Sequence, residues 1–467
     1  MVRNLMFRLS SLLFASLLLT HTLIAQNSRV SFTDTTSLLH AFKAGKFGGH
    51  FRYFFMATDN EKGLTDYYAN AVGGGLRFET ANFHHFQFAI SGFYIFNIGS
   101  SNLVRPDSAS GQVNRYEIQL FDITDPANKK NLDRLEELYL KYNFKTSNVR
   151  IGRQLINTAF INLQDGRMRP TVTEGIWVEM NEVKRSRIQL GWIWGLSPRS
   201  TTNWYRPGES IGIYPVGVNP DGTRSGYSHN IRSGGIAIFE LESAITKNLH
   251  LQLSNMFVEN IFNTTLLQIG YTFPLKNRDS IEIAVQSIKQ FAVNNGGNED
   301  PSKTYFVKGT KPFSFGIRAG WKNDSWGITV NYNRITRNGR YLNPREWGID
   351  PFFTFLQRER NDGLGDVHAI MGKLSHIIRK ARLKTSLAAG YYRLPDVKNY
   401  PLNKYGLPSY LQVNGDIKYT FANTFKGLEA TLLLVGKKDI GETYNNKKYV
   451  FNKVEMLQYN VILNYHF

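Results

Sequence analysis

Residues 457–467 read LQYNVILNYHF, and the alternation in this stretch decides the fold. Leu457, Tyr459, Val461, Leu463, Tyr465 and Phe467 share one parity, Gln458, Asn460, Asn464 and His466 hold the other, and Ile462 alone breaks the rule. Successive side chains on a strand point to opposite faces, so the segment has one apolar and one polar face. Its length suits a tilted strand crossing a bilayer core, which takes roughly 9–11 residues.

At the other end, residues 1–25 carry a short basic start (Arg3, Arg8), an apolar stretch from Leu9 to Leu19 and a small residue, Ala25, before Gln26. That is the three-part pattern of a cleaved signal peptide. Arg3 and Arg8 leave with it, taking the formal charge from +19 to about +17. No other run approaches the ~18 apolar residues of a membrane helix. The expected division is a signal peptide over 1–25, a periplasmic segment over 26–47 and a transmembrane barrel over 48–467. Turn signals recur evenly to the end, with no linker between domains.

Cysteine is absent, which removes disulfides, thiolate metal sites and cysteine nucleophiles together. The chain has 24 Tyr, 32 Phe and 40 Gly, and aromatics at strand ends are what interfacial girdles need. A mean hydropathy of −0.32 is compatible with a membrane barrel, because only every second strand residue faces lipid.

From residue 48 onward, dyad alternation gives about 18 strands. The clearest outward sets are Phe51, Tyr53, Phe55; Phe86, Phe88, Ile90, Tyr94, Phe96; Leu138, Leu140, Tyr142, Phe144; and Ile188, Leu190, Trp192, Trp194. Later sets include Leu267, Ile269, Tyr271, Phe273; Phe313, Phe315, Ile317, Ala319, Trp321; and Leu411, Val413, Ile417, Tyr419, Phe421. Even-numbered strands lead into short turns such as 81–85, 146–148 and 322–325. Most odd-numbered strands lead into long Gly/Asn/Asp/Pro-rich stretches such as 98–134, 197–230 and 335–365, with 259–263 a short exception. A barrel with short periplasmic turns and long outside loops has this asymmetry, and a soluble sandwich has no reason to keep it. At this strand number the interior is too wide for strand side chains to fill, which predicts an aqueous lumen.

Two stretches resemble the OprD-like family of outer-membrane substrate-specific porins. Residues 135–179, LEELYLKYNFKTSNVRIGRQLINTAFINLQDGRMRPTVTEGIWVE, are similar to its strand, tight turn, strand and loop ending in an Arg-x-x-Pro-Thr element, carried here by Arg167, Met168, Arg169, Pro170 and Thr171. Residues 410–435, YLQVNGDIKYTFANTFKGLEATLLLV, are similar to its penultimate hairpin through Asn414, Asp416, Tyr419, Phe421, Gly427 and Leu428, and 73–80 (GGGLRFET) to its second strand. The resemblance implies an 18-stranded barrel whose inward-folded loops narrow the pore, with basic side chains guiding anionic or carboxylate-bearing solutes. Phe467 resembles the final aromatic through which the barrel assembly machinery reads outer-membrane barrels.

Alternation places Arg52, Arg77, Lys141, Arg150, Arg318, Arg382, Lys384 and Lys418 toward the lumen. Charge at the lipid midplane costs roughly 2–4 kcal/mol, so a barrel requires them inside. Such a row concentrates anions, unless it is neutralised by inward acids such as Glu79, Glu282, Asp416 and Glu429. Arg153 shares the outward parity of Val149 and Ile151, and a bulge at Gly152 would turn it inward. Arg167 and Arg169 lie in the third outside loop, where porins are narrowed. Trp204, Tyr205, Tyr214 and Tyr227 crowd 197–230, either to stack on sugars or to pack loop on loop.

Enzyme motifs are missing: there is no G-x-S-x-G elbow, H-E-x-x-H or G-x-x-x-x-G-K-[ST] loop, and the ten histidines show no telling spacing. A barrel hydrolase and a structural or adhesive surface barrel are the rival readings. Basic residues are scattered singly, which disfavours nucleic-acid binding. The expectation is an outer-membrane porin, monomer or trimer, passing small anionic or zwitterionic solutes, with outer-membrane lipid as its surroundings, no cofactor, no metal and no catalytic residues.

Overall fold

A computed structural model describes residues 34–164 and 166–467, so the signal-peptide expectation lies outside the described residues. A short helix α1, Leu38–Lys43, precedes 18 strands. They are β1 Lys46–Asp59, β2 Tyr67–Glu79, β3 Phe86–Ser100, β4 Asp133–Phe144, β5 Ser147–Gln154, β6 Val172–Met180, β7 Ser186–Ser197, β8 Ile236–Ala244 and β9 Leu249–Val258. The second half holds β10 Phe262–Pro274, β11 Ser280–Ala292, β12 Phe313–Lys322, β13 Trp326–Ile335, β14 Val367–Ile378, β15 Leu383–Arg393, β16 Tyr410–Thr420, β17 Leu428–Asp439 and β18 Met456–His466.

Each strand pairs antiparallel with its chain neighbours, and β18 pairs with β1 from His50↔His466 to Asp59↔Leu457. The sheet therefore closes and leaves no edge, the condition for spanning lipid with strands. Turns at one end are short, for example 145–146 and 323–325. Loops at the other end are mostly long: 101–132, 155–171, 198–235, 293–312, 336–366, 394–409 and 440–455. Loop 60–66 and loop 259–261 are the short ones on that side.

The outward face is a continuous apolar surface that includes Leu138, Leu140, Ile281, Ile283, Ile328, Val330 and Ile370, each at least a third exposed. Aromatic contacts collect near both strand ends. On the short-turn side Phe86 meets Tyr142 at 5.0 Å, Tyr271 meets Phe273 at 4.5 Å and Phe51 meets Phe467 at 5.8 Å. On the loop side Tyr94 meets Phe96 at 4.4 Å and Phe313 meets Phe315 at 6.4 Å. Such paired girdles are where amphipathic rings sit at a bilayer's two interfaces. The ring of Phe467 lies over Gly49, where an added Cβ would come within 2.0 Å of it, and the two residues exchange backbone bonds at 3.0 and 3.1 Å.

Three local expectations need correction. No register shift occurs at Gly152, which sits opposite Tyr139 and Gly175 in unbroken pairing, so Arg153 stays outward. It is held there by Glu174, its register partner, at 3.1 Å, and by Trp204, whose ring centre is 4.3 Å from the guanidinium carbon. Phe421 belongs to the turn after β16 rather than to the strand, and Trp194 is skipped by the register shift between β6 and β7. Ile462 faces the lumen, as its parity demands, opposite Phe54, and packs against the buried apolar cluster.

The β1–β18 seam is directly testable because the chain has no cysteine. Phe55 and Val461 are register partners, and opposed strand residues have Cβ atoms roughly 4.5–5.5 Å apart, near disulfide reach. Phe55→Cys with Val461→Cys should cross-link on oxidation and shift the unfolded band on a gel, whereas Phe55→Cys with Val413→Cys should not.

Candidate functional site

The lumen wall is lined by the polar parity of every strand, and several of its charges come in opposed pairs. Arg77 donates to Glu137 and Glu79, both at 2.8 Å, and to Tyr139 Oη at 3.0 Å. Lys141 lies 3.6 Å from Glu79, Arg318 4.0 Å from Glu282, and Lys418 2.8 Å from Glu429. Arg52 sits over the Phe54 ring at 5.5 Å, and Lys384 is directly opposite Lys418 in register. Arg150 faces Lys141 across β4 and β5 and makes no ion pair among the described residues. Arg382 departs from expectation: it is the last residue of the turn 379–382, with φ +58°, and so belongs to the short-turn mouth rather than to a strand.

Strict alternation also hides one carboxylate, Glu136. The register between β3 and β4 shifts at Ser91/Gly92, leaving Glu136 unpaired between Leu135 and Glu137. Such a bulge directs consecutive residues to one side, and both acids are buried. Glu137 takes Arg77, while Glu136, 1% exposed, sits between Arg134 at 2.8 Å and Arg169 at 2.7 Å. Arg169 also donates to His50 Nδ1 at 3.0 Å and stacks on Phe93 at 4.5 Å. The third loop, 155–171, is thereby tied to the barrel wall through Arg169. The adjacent acids of LEEL at 135–138, inside an apolar strand, were the sequence signal for this bulge.

The larger constriction element is loop 336–366. Its stretch WGIDPFFTFL, residues 347–356, is far too apolar for a solvated loop, and Trp347, Phe352, Phe353 and Leu356 are all buried. Gln286 Nε2 donates to Pro351 O at 2.9 Å and Gln290 Nε2 to Leu342 O at 2.7 Å on one side. Tyr392 Oη donates to Thr354 O at 2.8 Å, and Gln412 Nε2 to Gln357 O at 2.7 Å. Arg358 reaches Gln458 at 2.6 Å and Asn460 at 2.8 Å on the final strand. Loop 155–171 meets it through Asn162, which donates to Ile349 O at 3.0 Å and accepts from Ile349 N at 3.1 Å. The buried Asn and Gln side chains of the lumen face thus anchor a loop folded across the interior.

Where these two loops meet the start of loop 198–235, a tight cleft with free space of about 20 Å³, room for about one water, is lined by Arg167, Arg199, Arg345, Arg358 and Arg360 together with Asp350, Glu359 and Asp362. Arg345 holds Asp362 at 2.6 Å with both nearly fully buried. Burial and the neighbouring Asp362 push the Asp350 carboxyl up to about 8. Burial and Asp350 likewise raise Glu359, whose two oxygens have no hydrogen-bond partner among the described residues. Arg167, 2% exposed with φ +53°, is part of this cleft, whereas Arg169 is part of the anchor. Tyr214 and Tyr227 are buried in loop-on-loop packing, and Lys404 is enclosed beside Tyr227, 3.0 Å from its hydroxyl. Among the described residues no three His, Cys, Asp or Glu side chains gather as metal ligands.

No protein-family model matches the sequence, and no curated protein is similar to it in sequence. The fold is matched by solved outer-membrane porin structures of the OprD type. Pseudomonas aeruginosa OccK9 (OpdG) superposes with a TM-score of 0.70 at 11% identity, over 91% of this chain and 99% of that one. Acinetobacter baumannii OccAB1 gives 0.69 at 13% identity, over 95% and 99%. Pseudomonas aeruginosa OpdK, solved with vanillate, gives 0.68 at 11% identity, over 91% and 99%. Identities this low establish the shared architecture: a closed 18-stranded antiparallel barrel.

The Glu136 anchor yields a quantitative expectation. Breaking a buried pair by removing one partner costs about 3 kcal/mol or more. Glu136→Gln should lower unfolding stability by that order in a urea titration in detergent. Adding Arg169→Gln should cost clearly less than the sum of the two single changes.

Proposed function

We propose that the chain is an outer-membrane porin that passes small anionic or zwitterionic solutes down their gradient, with no catalytic step. The observation that carries this reading is the cleft where loops 155–171, 198–235 and 336–366 converge, where five arginines and three carboxyl groups face one another inside a barrel of porin architecture. Planar guanidinium groups match carboxylates bidentately. In a narrow passage with low-dielectric walls their excess charge draws anions in. The carboxyl oxygens of Asp350 and Glu359, even in the neutral form, accept hydrogen bonds from an ammonium group, which admits a zwitterion while the excess arginine charge disfavours a cation.

Selectivity is assigned to this cleft more than to the strand row. Arg77, Lys141, Arg318 and Lys418 each face a wall carboxylate within 4.0 Å, so much of their field is cancelled locally. The cleft keeps an excess because Asp350 and Glu359 are held toward their neutral forms by burial.

Reversal potentials in planar bilayers under a salt gradient test the proposal. Wild type should prefer chloride over potassium, and Arg199→Gln with Arg360→Gln should reduce the permeability ratio by roughly threefold or more. Unchanged selectivity would place the filter elsewhere, and absence of conductance steps from folded protein would remove the porin reading. The pH dependence has a definite sign. A raised carboxyl is neutral below its pKa and charged above it, so anion preference should fall as pH rises through about 8. Asp350→Asn should flatten that fall.

A further inference from the structure

The outward face is apolar across the bilayer band, yet near the loop end of three consecutive strands it is basic. Arg334 on β13 is the register partner of His368 on β14, and His368 is the register partner of Arg393 on β15. All three share the parity of outward residues on their own strands: Val330, Ile370 and Tyr391, each exposed. Two strands away, Lys289 on β11 is exposed at a matching outward position, paired with Phe313. The same level elsewhere carries the opposite sign: Asp59 at the end of β1 and Asp133 at the start of β4 are outward and exposed. The basic residues therefore form a sector of the rim rather than a ring around it.

Their arrangement is braced for a ligand. Arg334 is fixed by Asp366 and donates to Val367 O at 3.1 Å. Tyr332 Oη lies 2.9 Å from His368 Nδ1; if it donates there, the imidazole keeps Nε2–H as a donor. Arg393 is exposed. Arg334 and Arg393 flank His368 on either side, so two guanidinium groups converge on one imidazole across three adjacent strands, roughly 10 Å from outer strand to outer strand. One acid, Asp366, touches the group. Of the other outward basic residues at this level, Lys289 extends the basic sector, whereas Arg153 is engaged with Glu174 at 3.1 Å and Lys438 with Glu455 at 2.9 Å.

We propose that Arg334, His368 and Arg393 form an outward-facing site for the phosphorylated headgroup of an anionic lipid in the leaflet on the loop side. A phosphomonoester between the strands accepts from both guanidinium groups and from the imidazole. Its acyl chains continue down the apolar wall past Ile370 and Val330. The site rests on the reading of the barrel as membrane-spanning. Its consequence is a lipid held at one sector of the wall.

The test uses the folded full chain in detergent, titrated with phosphatidic acid and separately with the matching phosphatidylcholine, bound lipid being counted by native mass spectrometry. Wild type should prefer phosphatidic acid. His368→Gln with Arg393→Gln should weaken that binding roughly fivefold or more, Arg393→Lys should retain most of it, and Lys438→Gln should leave it unchanged. Equal binding of the two lipids, or an equal loss in Lys438→Gln, would overturn the site. Displacement by inorganic phosphate as effectively as by the lipid would overturn the lipid assignment. Heat-modifiable gel migration reports folding, and if the double variant fails it, Arg393→Gln alone carries the comparison. Wild type that does not insert into vesicles would instead overturn the membrane reading.

Discussion

The structure depends on one constraint: in a lipid-spanning wall every backbone N–H and C=O must be hydrogen-bonded within the wall. A sheet meets it only by closing, and here closure is the ten-residue register between β1 and β18. Closure fixes two faces for every strand, and the rest follows from what each face touches. Outward positions meet hydrocarbon and are apolar, with aromatics toward the ends. Inward positions are freed to be polar, which is why arginines, lysines, glutamines and asparagines accumulate there without the cost they would carry outside.

An 18-stranded wall encloses more space than its own side chains fill. Loop 336–366 occupies part of that space. It brings an apolar core of its own and is received by Gln286, Gln290, Gln412, Asn414 and Gln458, so the lumen face reads as a set of sockets as much as a channel lining. Where this loop meets loop 155–171 and the start of loop 198–235, five arginines stand beside three carboxyl groups. Burial there has a double effect: it strengthens each guanidinium's field and holds nearby carboxyl groups toward neutrality.

Much of the wall was legible in the sequence, because alternation is imposed strand by strand by the two solvents. The final strand shows how far that goes: Ile462, which breaks the polar parity, still faces inward, where Phe54 and the loop core give it an apolar contact. Parity failed where the pairing itself is irregular or absent. Glu136 is turned inward by a bulge that strict alternation passes over, although the adjacent acids of LEEL signal it, and Arg382 sits in a turn where alternation has no meaning. Arg153 was read correctly as outward and wrongly rescued by a bulge, because the sequence does not show that Glu174 and Trp204 neutralise and cover it. The constriction was half legible. Arg167 was expected in a pore-facing loop and lies buried in the cleft, but loop 336–366 was overlooked although WGIDPFFTFL is a buried run by composition alone.

The central claim is that the barrel holds an aqueous lumen narrowed chiefly by loop 336–366. Single-channel conductance of a variant in which residues 345–362 are replaced by a short Gly-Ser linker tests it most directly. The account predicts a folded barrel, confirmed by heat-modifiable migration, whose conductance rises several-fold over wild type as the widened lumen is exposed. A folded variant with wild-type conductance would contradict it.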